Sequence, residues 1–227
     1  MSGTDMNLYG RQLGAEEIAK GAHRDFVGGM WDELGRLQLD FMRQAGLQPG
    51  HRFIDVGCGA LRGGLHFIAY LEPGNYHGLD INASLIEAGR VELGKAGLAD
   101  RLPHLLVDDG FRVERFGRRF DHGLALSVFT HLPMDTILRC LKRVAGVLAE
   151  DGVFHASYFA APEPVHLWPL NHSPGGVVTQ YDADPFHQSF SEFQWMASIC
   201  GLRVEEIGDW GHPRGQRMLA FRRQHAA

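Results

Sequence analysis

The sequence predicts an α/β fold, an open and mostly parallel sheet with helices on both faces, and three observations carry the prediction. Short apolar runs alternate along the chain with stretches whose apolar residues recur every third or fourth position, the pattern of strand–helix–strand units. The first run, residues 52–56 (RFIDV), breaks into a glycine-rich turn and then a helical stretch. Two last runs, residues 203–207 and 217–221, stand close together near the end and bring the strand count to seven.

The elements follow in order. Residues 1–13 are polar and glycine-bearing, with no predicted element. Residues 15–45 read as helix, because Val27, Met30, Leu34, Leu37 and Phe41 fall on one stripe. Gly28-Gly29 interrupts that stripe. Glycine costs about 1 kcal/mol in a helix interior, so two helices with a break are expected. Gly46 and Pro49-Gly50 end the segment. After the first strand come a helical run over 63–71, a second strand over 76–81, and a helix over 83–96 with Asn82 as its N-cap. Residues 104–108 and 122–128 are the third and fourth strands. Pro133 opens a helix whose buried face is Ile137, Leu141, Val144 and Leu148. Asp151-Gly152 reads as a turn before a fifth strand over 153–159.

Residues 160–188 break the rhythm. Pro162, Pro164, Pro169, Pro174 and Pro185 fall here with Gly175-Gly176, and a loop this long in a compact domain is usually functional or disordered. Ser189-x-x-Glu192 is a capping box opening a helix with Phe193, Met196 and Cys200 on one face.

Composition narrows the function. The 227 residues are 44% hydrophobic and 22% charged, with a formal net charge of −5. That balance suits a soluble domain and argues against a nucleic-acid-coating surface. No run of apolar residues is long enough for a membrane span. Asp5, Glu16, Glu17, Lys20 and Arg24 crowd the first part of the chain and leave no signal-peptide core. Cys58, Cys140 and Cys200 are far apart and form no C-x-x-C pair, so a disulfide framework and a zinc knuckle are not expected and a cytoplasmic location is.

The first strand ends in Asp55-Val56-Gly57-Cys58-Gly59-Ala60-Leu61-Arg62-Gly63-Gly64. Glycines there let the backbone turn sharply and approach a ligand. Asp80 ends the second strand, where a carboxylate suits a ribose diol. A dinucleotide fold competes, and three features count against it. The glycine spacing is not G-x-G-x-x-G, Asp55 precedes the turn where a pyrophosphate would lie, and no Lys or Arg stands beside Asp80 for a 2′-phosphate.

With Leu106-Val107-Asp108-Asp109 after the third strand, these residues resemble the class I S-adenosylmethionine-dependent methyltransferases, small bacterial ones of the methyltransferase-11/12/25 kind. The resemblance covers residues 50–160 by motif and the whole chain by element order. It implies a Rossmann-like seven-stranded, mostly parallel sheet with an antiparallel last strand, and S-adenosyl-L-methionine as cofactor. It also implies roles. Asp55 and the backbone of Gly57, Cys58 and Gly59 hold the methionine end. Asp80 takes the ribose hydroxyls, Ile81 flanks adenine, and Asp108 or Asp109 meets its amino group. Ser127, Val128 and Phe129 line the methionine side. One departure is Leu61, which stands where the family carries a third glycine.

A single domain over 1–227 is expected: an N-terminal helical lid (1–48), a cofactor-binding half (49–159), and a substrate-side loop with the closing hairpin (160–227). The expected activity is methyl transfer to a small molecule, an oxygen of a sugar or natural product. The alternatives are an N- or S-directed small-molecule methyltransferase and a non-catalytic cofactor-binding scaffold. Methylation of RNA bases is disfavoured by the acidic balance and by Ser127-Val128-Phe129-Thr130 in place of an Asn-Pro-Pro-Tyr motif. The partner is a small-molecule acceptor, not nucleic acid or membrane, and a homodimer stays open.

An oxygen acceptor needs a base, and His131, His187 and His212 are the candidates. Each also has an ordinary reading: His131 packs or caps before the next helix, and the other two sit in solvated loops. His155 and His166 have weaker claims. Trp31, Trp168 and Tyr181 are candidate substrate contacts. Tyr9, Arg11, His23 and Arg24 reach toward the site if residues 1–48 close over it, faced by Asn171 and His172 of the loop. Asp182, Asp184, His187 and His212 could in principle make a mixed oxygen/nitrogen metal site, but no tight ligand spacing joins them and no metal is expected.

Overall fold

A computed structural model describes residues 10–163 and 166–224. Tyr9 lies outside the described residues. The chain divides into two compact units, Met1–Asp109 and Gly110–Ala227.

The first unit holds α1 (Ala15–Ala19), α2 (Ala22–Phe26), α3 (Trp31–Gln44), β1 (Phe53–Val56), α4 (Gly64–Tyr70), β2 (Tyr76–Asp80), α5 (Ala83–Lys95) and β3 (His104–Val107). The second holds β4 (Phe120–Ala125), α6 (Met134–Val147), β5 (Leu148–Tyr158), β6 (Leu170–His172), β7 (Val177–Thr179), α7 (Phe190–Cys200), β8 (Leu202–Asp209) and β9 (Arg217–Arg223).

The strands build the seven-stranded sheet the sequence predicts, in the order β3-β2-β1-β4-β5-β9-β8. Pairing is parallel between β1 and β2, β2 and β3, and β4 and β5. Only β9, the last strand, runs antiparallel to its neighbours β5 and β8. Every residue of β1 and of β2 is buried, as expected of strands covered on both faces. The edge strand β8 alternates instead, with Leu202 buried and Arg203 and Glu205 exposed.

Local signals place the helix starts. The Asn82 side chain accepts from the backbone N–H of Ser84 and of Leu85, satisfying donors that α5 leaves unpaired. Ser189 and Glu192 form the predicted capping box of α7. The N-terminal region breaks twice rather than once. Gly21, with φ of +83°, separates α1 from α2, and Gly28, Gly29 and Met30 all hold positive φ before α3.

Two expectations change. Asp151-Gly152 is not a turn between elements but lies inside β5, where the register against β4 shifts between Phe120 and His122. A Cβ on Gly152 would stand 2.7 Å from the Phe120 carbonyl oxygen, so glycine fits this irregularity. The predicted loop over 160–188 contains a hairpin of its own, β6 paired antiparallel with β7. Among the described residues no helix is long and apolar enough to cross a membrane.

Candidate active site

In the first unit the turn after β1 is built from backbone. The N–H groups of Gly57 and Cys58 both donate to the Leu79 carbonyl, at 2.8 and 3.1 Å, which ties the turn to the end of β2. Gly57 and Gly59 hold φ of +73° and +53°, a region most side chains avoid. The Gly59 N–H donates to Asp80 Oδ2 at 2.8 Å, and the Asn82 N–H donates to Asp80 Oδ1 at 2.8 Å. Asp80 therefore braces both its own corner and the glycine turn. With the Ile81 N–H also bound, the carboxylate retains acceptor capacity for one further donor. Burial pushes its carboxyl above the usual carboxylate range, and the backbone N–H groups of Asn82, Gly59 and Ile81 oppose that shift.

Asp55 lies beneath the turn and is buried. The Tyr76 hydroxyl donates to its Oδ2 at 2.6 Å. Burial raises its pKa to about 7; the Tyr76 hydrogen bond and the Arg62 charge hold it down, while the Asp80 charge adds to the rise. A carboxyl poised near neutrality changes its charge readily when a cation arrives. Beside this pair, Ile81 is 46% exposed, an apolar surface at the strand end. Asp108 is buried and its N–H donates to the Asp80 carbonyl at 2.9 Å, whereas Asp109 is exposed.

The N-terminal region packs on the same turn. The Leu13 N–H donates to Ser84 Oγ and Asn82 Nδ2 donates to the Arg11 carbonyl, both at 2.8 Å, so residues 11–13 are tied to the start of α5. Leu13, Ala60, Leu85 and Ala88 form one apolar cluster, with Ile18, Phe26, Val27 and Trp31 packed against it. Arg62 Nη1 donates to the carbonyls of Val27 and Gly29 at 2.9 and 3.0 Å, fastening the segment between α2 and α3.

In the second unit the end of β4 is equally constrained. Ser127 holds φ of +54°. Its N–H donates to Ser157 Oγ at 2.7 Å, and both serine hydroxyls donate to Gln216 Oε1. Val128 beside it is half-buried. Three residues on, His131 Nδ1 lies 2.5 Å from Asp184 Oδ1. The two side chains are 24% and 15% exposed, so the pair is shielded without being sealed. The Phe186 N–H donates to the Thr130 carbonyl at 2.7 Å and locks the two segments together.

Residues 54–154 match the family model of a methyltransferase domain. The fold is shared with the CcbJ methyltransferase from Streptomyces caelestis at 15% identity, covering 98% of this chain and 100% of that chain, with a TM-score of 0.70. It is shared with the sugar N-methyltransferase KedS8 from Streptoalloteichus sp ATCC 53650 at 17% identity, 99% and 99% coverage and a TM-score of 0.64. It is also shared with the magnesium protoporphyrin IX methyltransferase ChlM from Synechocystis PCC 6803, in a structure with bound SAH, at 15% identity, 85% and 85% coverage and a TM-score of 0.59. The match to a methyltransferase domain is thus confined to residues 54–154, and the neighbours share the fold of the whole.

Within the matched segment the departure at Leu61 has a physical answer. Leu61 adopts φ of +67°, the backbone conformation a glycine would take, and is fully buried. Its side chain fills space left by two other glycines. A Cβ on Gly64 would stand 2.7 Å from Leu61 Cδ2, and one on Gly89 would stand 2.8 Å from Leu61 Cγ. The turn is therefore kept, at the cost of one strained residue. The Cys58 thiol is buried and points at β2, where a Cβ on Gly78 would stand 2.9 Å from its Sγ, which leaves the backbone of Cys58 as its part of the turn.

The remaining candidates separate. His187 is fully buried and both ring nitrogens are engaged, Nδ1 with Thr179 Oγ1 at 2.7 Å and Nε2 with the His166 carbonyl. Thr179 Oγ1 also meets His172 Nε2 at 2.8 Å, so His187 is a hub holding the β6–β7 hairpin and is not placed as a base. His212 is buried, and its Nδ1 accepts from the Arg214 N–H at 3.2 Å, which folds the connection between β8 and β9. Trp31 packs between its neighbours, with the Arg24 guanidinium 4.9 Å over its ring and the His23 ring edge-on at 5.8 Å. Trp168 is 70% exposed. Tyr181 donates to Met134 Sδ at 3.9 Å, beside a 370 Å³ cleft lined by Met134, Ser191, Glu192 and Trp195. Among the described residues no group of three or more His, Cys, Asp or Glu side chains is set to hold a metal ion. Asp184 as the partner of His131, and Arg62 as the fastener of residues 27–29, are absent from the sequence-based site. Each stands directly before a turn residue (Pro185, Gly63), and Asp184 enters the sequence reading only as a metal-ligand candidate.

Proposed function

We propose that this protein is an S-adenosylmethionine-dependent methyltransferase that acts on an oxygen of a small molecule, with His131 as general base and Asp184 as the group that orients it. The observation that carries the reading is the 2.5 Å approach of His131 Nδ1 to Asp184 Oδ1. A carboxylate on one ring nitrogen fixes the tautomer and turns the other nitrogen into the acceptor of a proton. A hydroxyl is a weak nucleophile until that proton is taken. His187 instead has both ring nitrogens held within the β6–β7 region.

S-adenosylmethionine, when bound, supplies an electrophilic methyl on a sulfonium. The residues present fit it. Gly57 leaves its backbone exposed, Asp80 keeps acceptor capacity for a further donor, and Ile81 offers an apolar face. We assign Asp55 and the backbone of Gly57, Cys58 and Gly59 to the methionine end, and Asp80 to the ribose. Ile81 with Asp108 or Asp109 is assigned to adenine, and Ser127 and Val128 to the methionine side. Residues 1–48 are read as the covering segment. The relatives named above include a sugar N-methyltransferase and a porphyrin methyltransferase, which supports a small-molecule acceptor.

The test is methyl transfer from labelled S-adenosylmethionine to a panel of sugars, phenols, carboxylic acids and amines, with products assigned by NMR. O-methyl products that need His131 support the reading. Only N- or S-methyl products overturn the oxygen assignment, and cofactor binding without product across the panel favours a scaffold.

A further inference from the structure

The Tyr76 hydroxyl stands where packing alone has no use for it. Tyr76 is buried and lies opposite Phe53 across the β1–β2 pairing, the two rings stacked with centroids 6.1 Å apart. A phenylalanine would make the same ring contact. The oxygen adds a cost instead, because a buried polar group without a partner is expensive to keep. Its partner is Asp55 Oδ2 at 2.6 Å. The fold also clears room for it. A Cβ on Gly64 would stand 2.7 Å from the hydroxyl oxygen, so the first turn of α4 is bare where the phenol ends.

The direction of this hydrogen bond is fixed. Burial, with the Asp55 charge adding to it, pushes the Tyr76 hydroxyl well above its ordinary range, so it stays protonated and donates. A donor aimed at a carboxylate favours the ionised form over the neutral acid. The other groups that act on Asp55 are Asp80 at the end of β2, Cys58 in the turn and Arg62 ahead of α4. Asp80 opposes ionisation of Asp55 and Arg62 favours it. Burial pushes the Cys58 thiol up, so it brings no charge. Arg62 acts through its charge, while its Nη1 donates to the Val27 and Gly29 carbonyls. Tyr76 is the group that meets Asp55 by a hydrogen bond.

We propose that Tyr76 is a positioning residue for the cofactor: its hydroxyl fixes the orientation of the buried Asp55 carboxyl and biases it toward the ionised form that receives the cationic methionine end of S-adenosylmethionine. The proposal rests on the assignment of Asp55 to the methionine end and adds the residue that makes a buried carboxylate usable there. It does not depend on His131 or on the acceptor.

The test compares the full chain with Tyr76→Phe, which keeps the ring and removes the oxygen. Carboxyl NMR of the cofactor-free protein reads Asp55 directly. Its titration midpoint should rise by about one to two pH units, since a hydrogen bond to a charged group is worth about that much. Calorimetry with S-adenosylmethionine at neutral pH, in buffers of different ionisation enthalpy, reads affinity and protons together. The wild type should release about half a proton, because Asp55 titrates at about 7. Tyr76→Phe should bind about tenfold more weakly and yet release close to one proton, because its Asp55 starts protonated. A tyrosine needed only for packing would lower affinity without adding a proton. In the Asp55→Asn background the same change should alter affinity by less than about twofold. A second measurement needs no missing atom: biosynthetic replacement of tyrosine by fluorotyrosine, a stronger donor, should move the Asp55 midpoint down. An Asp55 midpoint that stays put in both proteins overturns the proposal, and so does weaker binding by Tyr76→Phe with no added proton. Wild-type binding that Tyr76→Phe leaves unchanged overturns the proposal alone. A wild type that binds no S-adenosylmethionine at any pH overturns the methyl-transfer reading and the proposal with it.

Discussion

Leu61 occupies the space that a side chain on Gly89 would need: a Cβ at Gly89 would stand 2.8 Å from Leu61 Cγ. The left-handed backbone at Leu61 and the bare helix surface at Gly89 and Gly64 are one device, in which a large side chain is tolerated at a glycine position because two other residues lack theirs. The device predicts opposite contributions. Leu61→Gly relieves backbone strain of about 1–2 kcal/mol but removes a fully buried leucine, a loss of about 2–5 kcal/mol. The net expectation is destabilisation by about 1–3 kcal/mol with S-adenosylhomocysteine affinity retained. Urea denaturation and calorimetry check it, and a more stable Leu61→Gly protein would show that the leucine is not anchored as described.

Asp55 predicts a pH dependence of cofactor binding. In the free protein its pKa is raised to about 7, chiefly by burial. A cationic sulfonium or ammonium nearby favours the ionised form, so binding should expel a proton at or below neutral pH. Affinity for S-adenosylmethionine should therefore rise as pH climbs toward 7 and level off above it. Calorimetry in buffers of different ionisation enthalpy reads the proton directly. Asp55→Asn should bind more weakly and without proton release, and proton uptake by the wild type would contradict the assignment.

His155 predicts a second pH effect, on stability. Burial, with the His122 and Arg222 charges adding to it, lowers its pKa to about 3 in the folded state. An unfolded histidine titrates near 6.5, so below that pH the unfolded chain binds a proton that the folded chain refuses. Its contribution is fully present above pH 6.5 and is lost as pH falls from 6.5 toward 3. The urea midpoint of the wild type should drop across that window, and His155→Gln should flatten the drop. An unchanged slope in the variant would place the acid sensitivity elsewhere.

Much of the sheet could be read from local signals. The Asn82 cap, the Ser189–Glu192 box and the Gly57–Gly59 turn each depend on residues within a few positions, and each forms as the sequence predicts. What was not legible depends on distance or on tolerance. His131 and Asp184 are 53 residues apart, and nothing in either neighbourhood announces the other. The β6–β7 hairpin is short and set among prolines, so its period-two signal spans only Leu170–His172 and Val177–Thr179. The irregularity inside β5 presents the same Asp-Gly pair that elsewhere marks a turn. Leu61 breaks a glycine pattern that Gly64 and Gly89 quietly restore in space.

The His131–Asp184 pair yields the sharpest test of mechanism. If His131 takes the proton, His131→Ala should lower kcat by about 10²–10⁴-fold, the usual range for a general base, with S-adenosylhomocysteine affinity unchanged. Asp184 does its part through His131, so Asp184→Asn, which keeps the shape but withdraws the charge, should cost less, about 10–10²-fold. Groups that act as a unit are not additive, and the double variant should be no slower than His131→Ala alone. Additive losses would mean that Asp184 acts on the reaction independently of His131, and the pair would then be a packing contact near the acceptor rather than a base and its holder. The sign of the coupling decides between these without a structure of any complex, since both residues belong to one unit and neither variant disturbs the Gly57–Asp80 turn.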